Sequence, residues 1–347
     1  MPDQDVAFAG VSKTSIYVAA GRAIGSREPD PAARNPDHVV GRLLGDPSAL
    51  HVDHPVVRAL SLPYDEAMTN VEVVTNVRMM MVRTRFIDDA LARAVSEGAR
   101  QVAILGAGFD THAYRFAEQL AGLQVFEVDR PATQALKRRR VDDVLGGAPP
   151  NLTYVPVDFQ HEDWRTALAG HGYDSRLRTF VILEGVTMYV PAAAARQTFA
   201  FVGTHPPGSA IVFDFVYSAA VDMIARLDIA SLPEVVRPAM QRFLDLIKDE
   251  PWVFGLPHAG EQEFLGEFGL ELRDMLAIGS EDSIRRYATC ADGTAVGAAA
   301  IAAAMAQFAA RMKEAGQPPP APEGGAADRM RARQPMMSYQ LAEAFVP

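Results

Sequence analysis

Between residues 68 and 96, Val71, Val74, Val77, Met81, Ile87, Leu91 and Val95 recur at mostly three- to four-residue spacing. That is the period of a helix with one apolar face, so a long helix is predicted there. The pattern then changes. Residues 101–105, 125–128, 152–157, 180–183 and 210–215 are short, continuous apolar runs separated by helix-compatible segments. Such runs mark parallel strands buried on both faces, and their alternation with helices predicts a doubly wound α/β sheet. From about 219 to 248 the pattern is helical without an intervening strand, broken near Pro233, which predicts an inserted lid. A helix over 261–268, stopped by Gly269, leads into a sixth predicted strand at 271–276. Residues 317–325, QPPPAPEGG, are loop by composition, and a strand-like pattern over 338–346 returns the chain to close the sheet. The first 65 residues are rich in Pro, Gly, Asp and His, with helix-compatible segments at 12–21 and 38–44. A single domain is expected from the 347 residues: an N-terminal cap at 1–66, a core at 67–216, a helical lid at 217–260 and closing elements at 261–347.

Chemistry enters at the end of the first predicted strand, in the turn Gly106-Ala107-Gly108. Glycines between a strand and a helix let a ligand approach the backbone closely, although a GxG alone marks a tight turn as readily as a nucleotide site. Asp129 ends the second strand, 21 positions after Gly108, where a carboxylate can accept hydrogen bonds from both ribose hydroxyls of an adenosine. A nicotinamide cofactor calls for a third glycine where Thr111 stands, so that a helix N-terminus can receive the pyrophosphate. Adenosine without pyrophosphate fits better, and S-adenosylmethionine is such a ligand. Its adenine would meet Asp158 and the ring of Phe159 after the third strand. Arg83 offers a planar donor fork for its carboxylate, and Glu184, ending the fourth strand, an acceptor for its ammonium group. Arg83 has rival partners in Asp88 and Glu72, while Asp110, Thr111 and Arg115 read as capping and bracing residues.

Five blocks in order carry a resemblance: Arg83-Thr84-Arg85-Phe86-Ile87-Asp88, the turn from Leu105 to Thr111 with Tyr114-Arg115-Phe116, Phe126-Glu127-Val128-Asp129-Arg130-Pro131, Val157-Asp158-Phe159, and Leu183-Glu184-Gly185-Val186-Thr187-Met188-Tyr189-Val190. Over about residues 10 to 275 the chain resembles the leucine carboxyl methyltransferase and polyketide O-methyltransferase group of class I methyltransferases. The resemblance implies a seven-stranded, Rossmann-like sheet with the last strand antiparallel, a methyl donor at the strand C-termini, and transfer to an oxygen. It also implies that Arg83 holds the donor's carboxylate, Gly106 its methionine part, Asp129 the ribose, Asp158 and Phe159 the adenine, and Glu184 the amino end.

Thirty-three basic against 43 acidic side chains, a net charge of −10 and a pI near 5.3 argue against a nucleic-acid partner. The basic run Lys137-Arg138-Arg139-Arg140 reads as a solvated helical face. With one cysteine, Cys290, no intramolecular disulfide can form, and no metal site is expected. The opening MPDQD lacks a basic region and no run of about 18 strongly apolar residues occurs, so a cytoplasmic protein without a membrane partner is expected. The alanine-rich run 296–310 reads as a packed or partner-facing helix, which keeps a homo-oligomer open. Motifs for zinc peptidases, serine hydrolases and phosphate loops are missing.

The function expected is O-methylation of a carboxyl or hydroxyl group on a small molecule such as a polyketide, with S-adenosylmethionine as cofactor. A carboxylate needs no base; a hydroxyl would call on His112 or His258, the two candidates. The alternatives are a nicotinamide-dependent oxidoreductase and a catalytically silent S-adenosylmethionine-binding protein.

Overall fold

A computed structural model describes residues 11–157, 162–234, 236–314 and 339–347. The N-terminal cap carries α1 (Lys13–Gly25), α2 (Val40–Leu44), α3 (Pro55–Arg58) and α4 (Tyr64–Ala67) before the long α5 (Val71–Ser96). The core alternates β1 (Gln101–Leu105), α6 (His112–Arg115), β2 (Gln124–Asp129), α7 (Pro131–Leu145), β3 (Leu152–Pro156), α8 (Trp164–Gly170), β4 (Thr179–Leu183), α9 (Ala192–Gly203) and β5 (Ala210–Phe215). Then follow α10 (Ser218–Ala225), α11 (Arg237–Ile247), α12 (Glu261–Gly266), β6 (Glu271–Ala277), α13 (Glu281–Tyr287), α14 (Ala298–Glu314) and β7 (Gln340–Phe345). The sheet order is β3-β2-β1-β4-β5-β7-β6, parallel from β3 to β5, with β7 antiparallel to both of its neighbours. This is the doubly wound sheet that the apolar runs predict.

Both faces of the sheet are covered along β1, β4 and β5, which explains why these strands read as apolar runs. Along β1, Val102 and Ile104 enter the core shared with α1 and α5, whereas Ala103 and Leu105 enter the core shared with α8, α9 and α12. The same alternation holds for Phe180 and Ile182 against Val181 and Leu183 in β4. On the first face α5 starts at Asn70, whose side chain accepts from the Glu72 amide, and buries Val73, Val74, Val77, Met81 and Phe86.

The helical stretch predicted over 219–248 is broken near Pro233 as expected, into α10 and α11; neither helix lines the cavity described below, but Asp249, Glu250, Pro251 and Val253 of the same 217–260 segment do. Two expectations are corrected. The first cap helix does not stop at Gly21; it runs to Gly25, and Gly21 is a packing contact, where a Cβ would stand 1.7 Å from Asn76 Oδ1 of α5. Lys137 is not on a solvated face. Its ammonium lies 2.7 Å from Glu127 Oε2, and both side chains are essentially inaccessible. Glu127 sits in the middle of β2, where desolvation pushes its carboxyl up to about 7 although Lys137 pulls the other way. Among the described residues no helix is long and apolar enough to cross a membrane.

Removing one partner of a buried pair strands the other charge. Lys137→Met is therefore expected to lower the unfolding free energy by roughly 3 kcal/mol, and Lys137→Met with Glu127→Gln to recover most of it. Urea denaturation of the two variants checks this; a double variant no more stable than the single one would refute the pairing.

Candidate functional site

In an open parallel sheet a crevice forms at the carboxyl ends of the strands where the strand order reverses. Here that point lies between β1 and β4, and a cavity of ≈ 810 Å³ opens over it. Its floor is the turn after β1. Gly106 has φ +70° and Gly108 φ +39°, in the left-handed region that favours glycine. A Cβ on Gly106 would stand 2.5 Å from Val186 Cγ2, so the turn after β4 presses onto the turn after β1.

Asp129 ends β2 at the cavity wall. Its Oδ2 accepts from the Gly108 amide and its Oδ1 from the Arg130 amide at 2.5 Å. Burial raises its carboxyl above the ordinary range, against those two amides. Across the switch point, Arg83 projects from α5 with Nε and Nη2 both 2.7 Å from Glu184 Oε1. Its Nη1 lies 3.1 Å from Asp214 Oδ2, and Asp214 Oδ1 accepts from the Gly185 amide at 2.7 Å. Burial would raise Glu184, yet Arg83 holds it below its usual value, while burial pushes Asp214 up to about 6.

Beneath the turn lies a second charge network. His112 Nδ1 is 2.6 Å from Asp110 Oδ2, and its Nε2 is 3.1 Å from Asp88 Oδ1. Asp88 also receives both terminal nitrogens of Arg115 at 2.7 Å. From the cap, Arg22 of α1 donates to Asp37 Oδ2 at 2.9 Å and to the Phe109 carbonyl at 3.0 Å.

The mouth is held by a polar clasp. Glu250, just beyond α11, accepts from Ser12, from Thr14 at 2.9 Å and from Arg130 at 3.3 Å. Beside it Lys13 pairs with Asp249 at 2.7 Å. The segment 249–253, the first turn of α1, Tyr189 and Tyr339 complete the walls.

Arg83, Gly106, Gly108, Asp129 and Glu184 thus come together on one cavity, as the sequence predicts. Asp158 and Phe159 lie outside the described residues. Arg83 takes neither Asp88 nor Glu72; these pair with Arg115 and Arg242 instead. The two candidate bases are corrected. His112 is buried between two carboxylates, which overcome its desolvation and raise it to about 9, so at neutral pH it is an imidazolium and cannot accept a proton. His258 is exposed, packs on the Tyr217 ring at 4.8 Å and does not line the cavity. Asp110, His112 and Glu184 bring ligand atoms within 4.8 Å of one another, and each also takes part in the ion pairs just described.

Arg22, Asp214 and Glu250 escaped the sequence reading. Asp214 had a signal: an acid inside an otherwise apolar strand requires a buried partner. Arg22 and Glu250 had none, because their partners lie 15 to 238 positions away.

The state of His112 is testable through stability. Its folded pKa of about 9 exceeds the ordinary histidine value, so its contribution is complete below about pH 6.5 and is lost as pH rises through about 9. Unfolding free energy is expected to fall between pH 7 and 9, and His112→Gln to remove most of that slope. Parallel pH profiles for the two proteins would show a neutral imidazole instead.

The leucine carboxyl methyltransferase family model matches residues 15–203. A protein of Mycolicibacterium vanbaalenii with the provisional name S-adenosyl-L-methionine-dependent methyltransferase is 34% identical over 221 residues; the match covers 59% of this chain and 66% of that protein, just under two thirds of it. A Bacillus subtilis protein with a similar provisional name is 38% identical over 136 residues, covering 39% of this chain and 44% of its own length. Among solved structures, a duf574 family protein from Streptomyces avermitilis aligns with a TM-score of 0.47 and 16% identity, over 93% of this chain and 99% of that one. Magnesium protoporphyrin IX methyltransferase from Synechocystis, with bound SAH, aligns with a TM-score of 0.42 and 12% identity, over 80% and 88% of the two chains. The family match begins inside α1 and closes at the end of α9, so it takes in Arg22, Arg83, the glycine turn, Asp129 and Glu184, and on that match the chain belongs to the leucine carboxyl methyltransferase family.

Proposed function

We propose that this chain is an S-adenosylmethionine-dependent methyltransferase that acts on an oxygen of a small molecule, with a carboxylate as the preferred acceptor. The observation that carries the reading is the convergence of Asp129, the Gly106 turn and the Arg83–Glu184 pair on one cavity at the switch point. The donor set suits the cofactor. Each Asp129 oxygen is anchored by one backbone amide and keeps a lone pair for a ribose hydroxyl. Glu184 can receive an ammonium group, and Arg83 a carboxylate, side by side. When bound, S-adenosylmethionine supplies an electrophilic methyl on a sulfonium leaving group. What the chain contributes is alignment and exclusion of water, the clasp at Glu250 closing the mouth over the walls.

A carboxylate acceptor is favoured by the state of the bases. His112 is protonated and locked, and His258 lies away from the cavity. Tyr189 and Tyr339 on the wall are raised by burial and remain phenols at neutral pH. An acceptor that already carries its negative charge needs none of them. The nicotinamide alternative is disfavoured by α6, whose four residues offer their first amide to Asp110 at 2.8 Å and not to a pyrophosphate.

Calorimetry is expected to give micromolar binding of S-adenosylmethionine, weakened about tenfold or more in Asp129→Asn as a charge-assisted hydrogen bond is lost. Turnover of a matched aromatic acid and phenol pair should give the methyl ester faster than the ether. Binding of NAD(H) without S-adenosylmethionine would overturn the reading; donor binding with no transfer to acids or phenols would leave the silent binding protein in its place.

A further inference from the structure

β5 is buried along its whole length and contains one ionisable side chain, Asp214. Alternate residues of a strand share a face, so Asp214 falls with Ala210 and Val212 on the side packed under α5. There its carboxylate, fully inaccessible, bridges two elements. Oδ2 meets Arg83 Nη1 at 3.1 Å, and Oδ1 accepts from the Gly185 amide at 2.7 Å. The guanidinium is thereby gripped on one edge by Asp214 and on another by Glu184. Arg83, Glu184 and Gly185 line the cavity; Asp214 does not.

We propose that Asp214 is a positioning residue: without touching the ligand, it fixes the Arg83 guanidinium and the Gly185 turn so that the Arg83–Glu184 pair receives the amino-acid half of the methyl donor. The inference rests on the donor reading above. A side chain as long as arginine has several rotamers, and a rigid fork selects a carboxylate only when its plane is held. Asp214 supplies that hold from the strand, the most rigid support available, and passes the same register to Gly185, whose φ of +67° sets the turn that carries Glu184 forward. In Asp214→Asn one amide oxygen can still accept from Gly185, but the amide nitrogen then faces Arg83 Nη1, donor against donor, and the fork turns away.

A merely structural acid, present only to neutralise Arg83, would affect all ligands alike. Two probes separate the cases: S-adenosylhomocysteine, which carries the amino-acid half, and 5′-methylthioadenosine, which lacks it. By calorimetry Asp214→Asn is expected to bind S-adenosylhomocysteine about tenfold or more weakly, while 5′-methylthioadenosine stays within about twofold of the unaltered chain. Equal weakening of both ligands, or of neither, overturns the inference. If Asp214→Asn does not fold, Arg83→Gln and the double variant Arg83→Gln with Asp214→Asn take its place, since the double one removes both members of the buried pair. The two should bind S-adenosylhomocysteine equally, and a further loss in the double variant overturns the inference, because Asp214 would then act outside Arg83. Failure of the unaltered chain to bind either probe would sink the donor reading and this inference with it; selective failure in the variants' pattern sinks this inference alone.

Discussion

A charge buried in a parallel sheet is costly unless a partner meets it, and the packing of helices on this sheet follows from that constraint. Glu127 in β2, Asp214 in β5 and Glu343 in β7 are all inaccessible to water. They are met by Lys137 of α7, Arg83 of α5, and Arg93 of α5 together with Arg273 of β6. A buried pair adds little net stability over an apolar pair of the same shape, but it fixes orientation. α5 is tied to two strands in this way, at Asp214 and at Glu343, so its rotation about its own axis is set at its middle, through Arg83, and near its C-terminal end, through Arg93. Arg83 faces the cavity because the strand beneath it holds an acid.

The strands were legible in the sequence to within about two residues, because burial on both faces leaves an apolar run that no helix of this length mimics. Part of the cavity wall was legible for a related reason. Gly106, Asp129 and Glu184 stand where apolar runs stop, and a polar residue at the end of a buried strand faces the crevice. What escaped was partnership. Periodicity marks which face a residue is on and not which residue stands opposite, so Lys137 read as surface although Glu127 waits beneath it. His112 stood as a candidate base because nothing in the sequence shows that Asp88, 24 positions earlier, joins Asp110 in flanking its ring. Gly21 read as a stop because the neighbour that needs its missing Cβ, Asn76, lies on another helix.

The cap belongs to the site. Arg22 reaches from α1 to the carbonyl of Phe109 in the glycine turn, and three residues at the start of the same helix, Ser12, Lys13 and Thr14, hold the segment after α11. One helix therefore supports the turn with its last part and closes the mouth with its first. Its close approach to α5 at Gly21 makes this span rigid. Arg130, next to Asp129, joins the clasp through Glu250, so the mouth and the Asp129 carboxylate share a backbone junction. The Lys13–Asp249 pair is exposed and individually weak, whereas the Arg22–Asp37 pair beneath the floor is inaccessible.

The charges around the cavity bear on the chemistry proposed for it. Seven carboxylates line it, Asp110, Asp129, Glu162, Asp163, Glu184, Asp249 and Glu250, against four cations, Arg22, Arg83, Arg130 and Arg165. The excess is negative, while burial is the main cause that raises the carboxyls of Asp129 and Asp214. A sulfonium donor carries one net positive charge and relieves that excess on binding. Transfer to a carboxylate then removes one charge of each sign, giving a neutral thioether and a neutral ester, so charge is lost on the way to the transition state. Such a reaction is favoured where water is excluded and the separated ions are poorly solvated. A phenol would have to shed a proton first; the imidazole is already charged and the nearby tyrosines hold their own protons, which leaves only the carboxylates of the wall to receive it. What favours an acceptor that arrives as an anion is therefore its neutralisation by the sulfonium on the way to the transition state, and not the fixed charges of the wall.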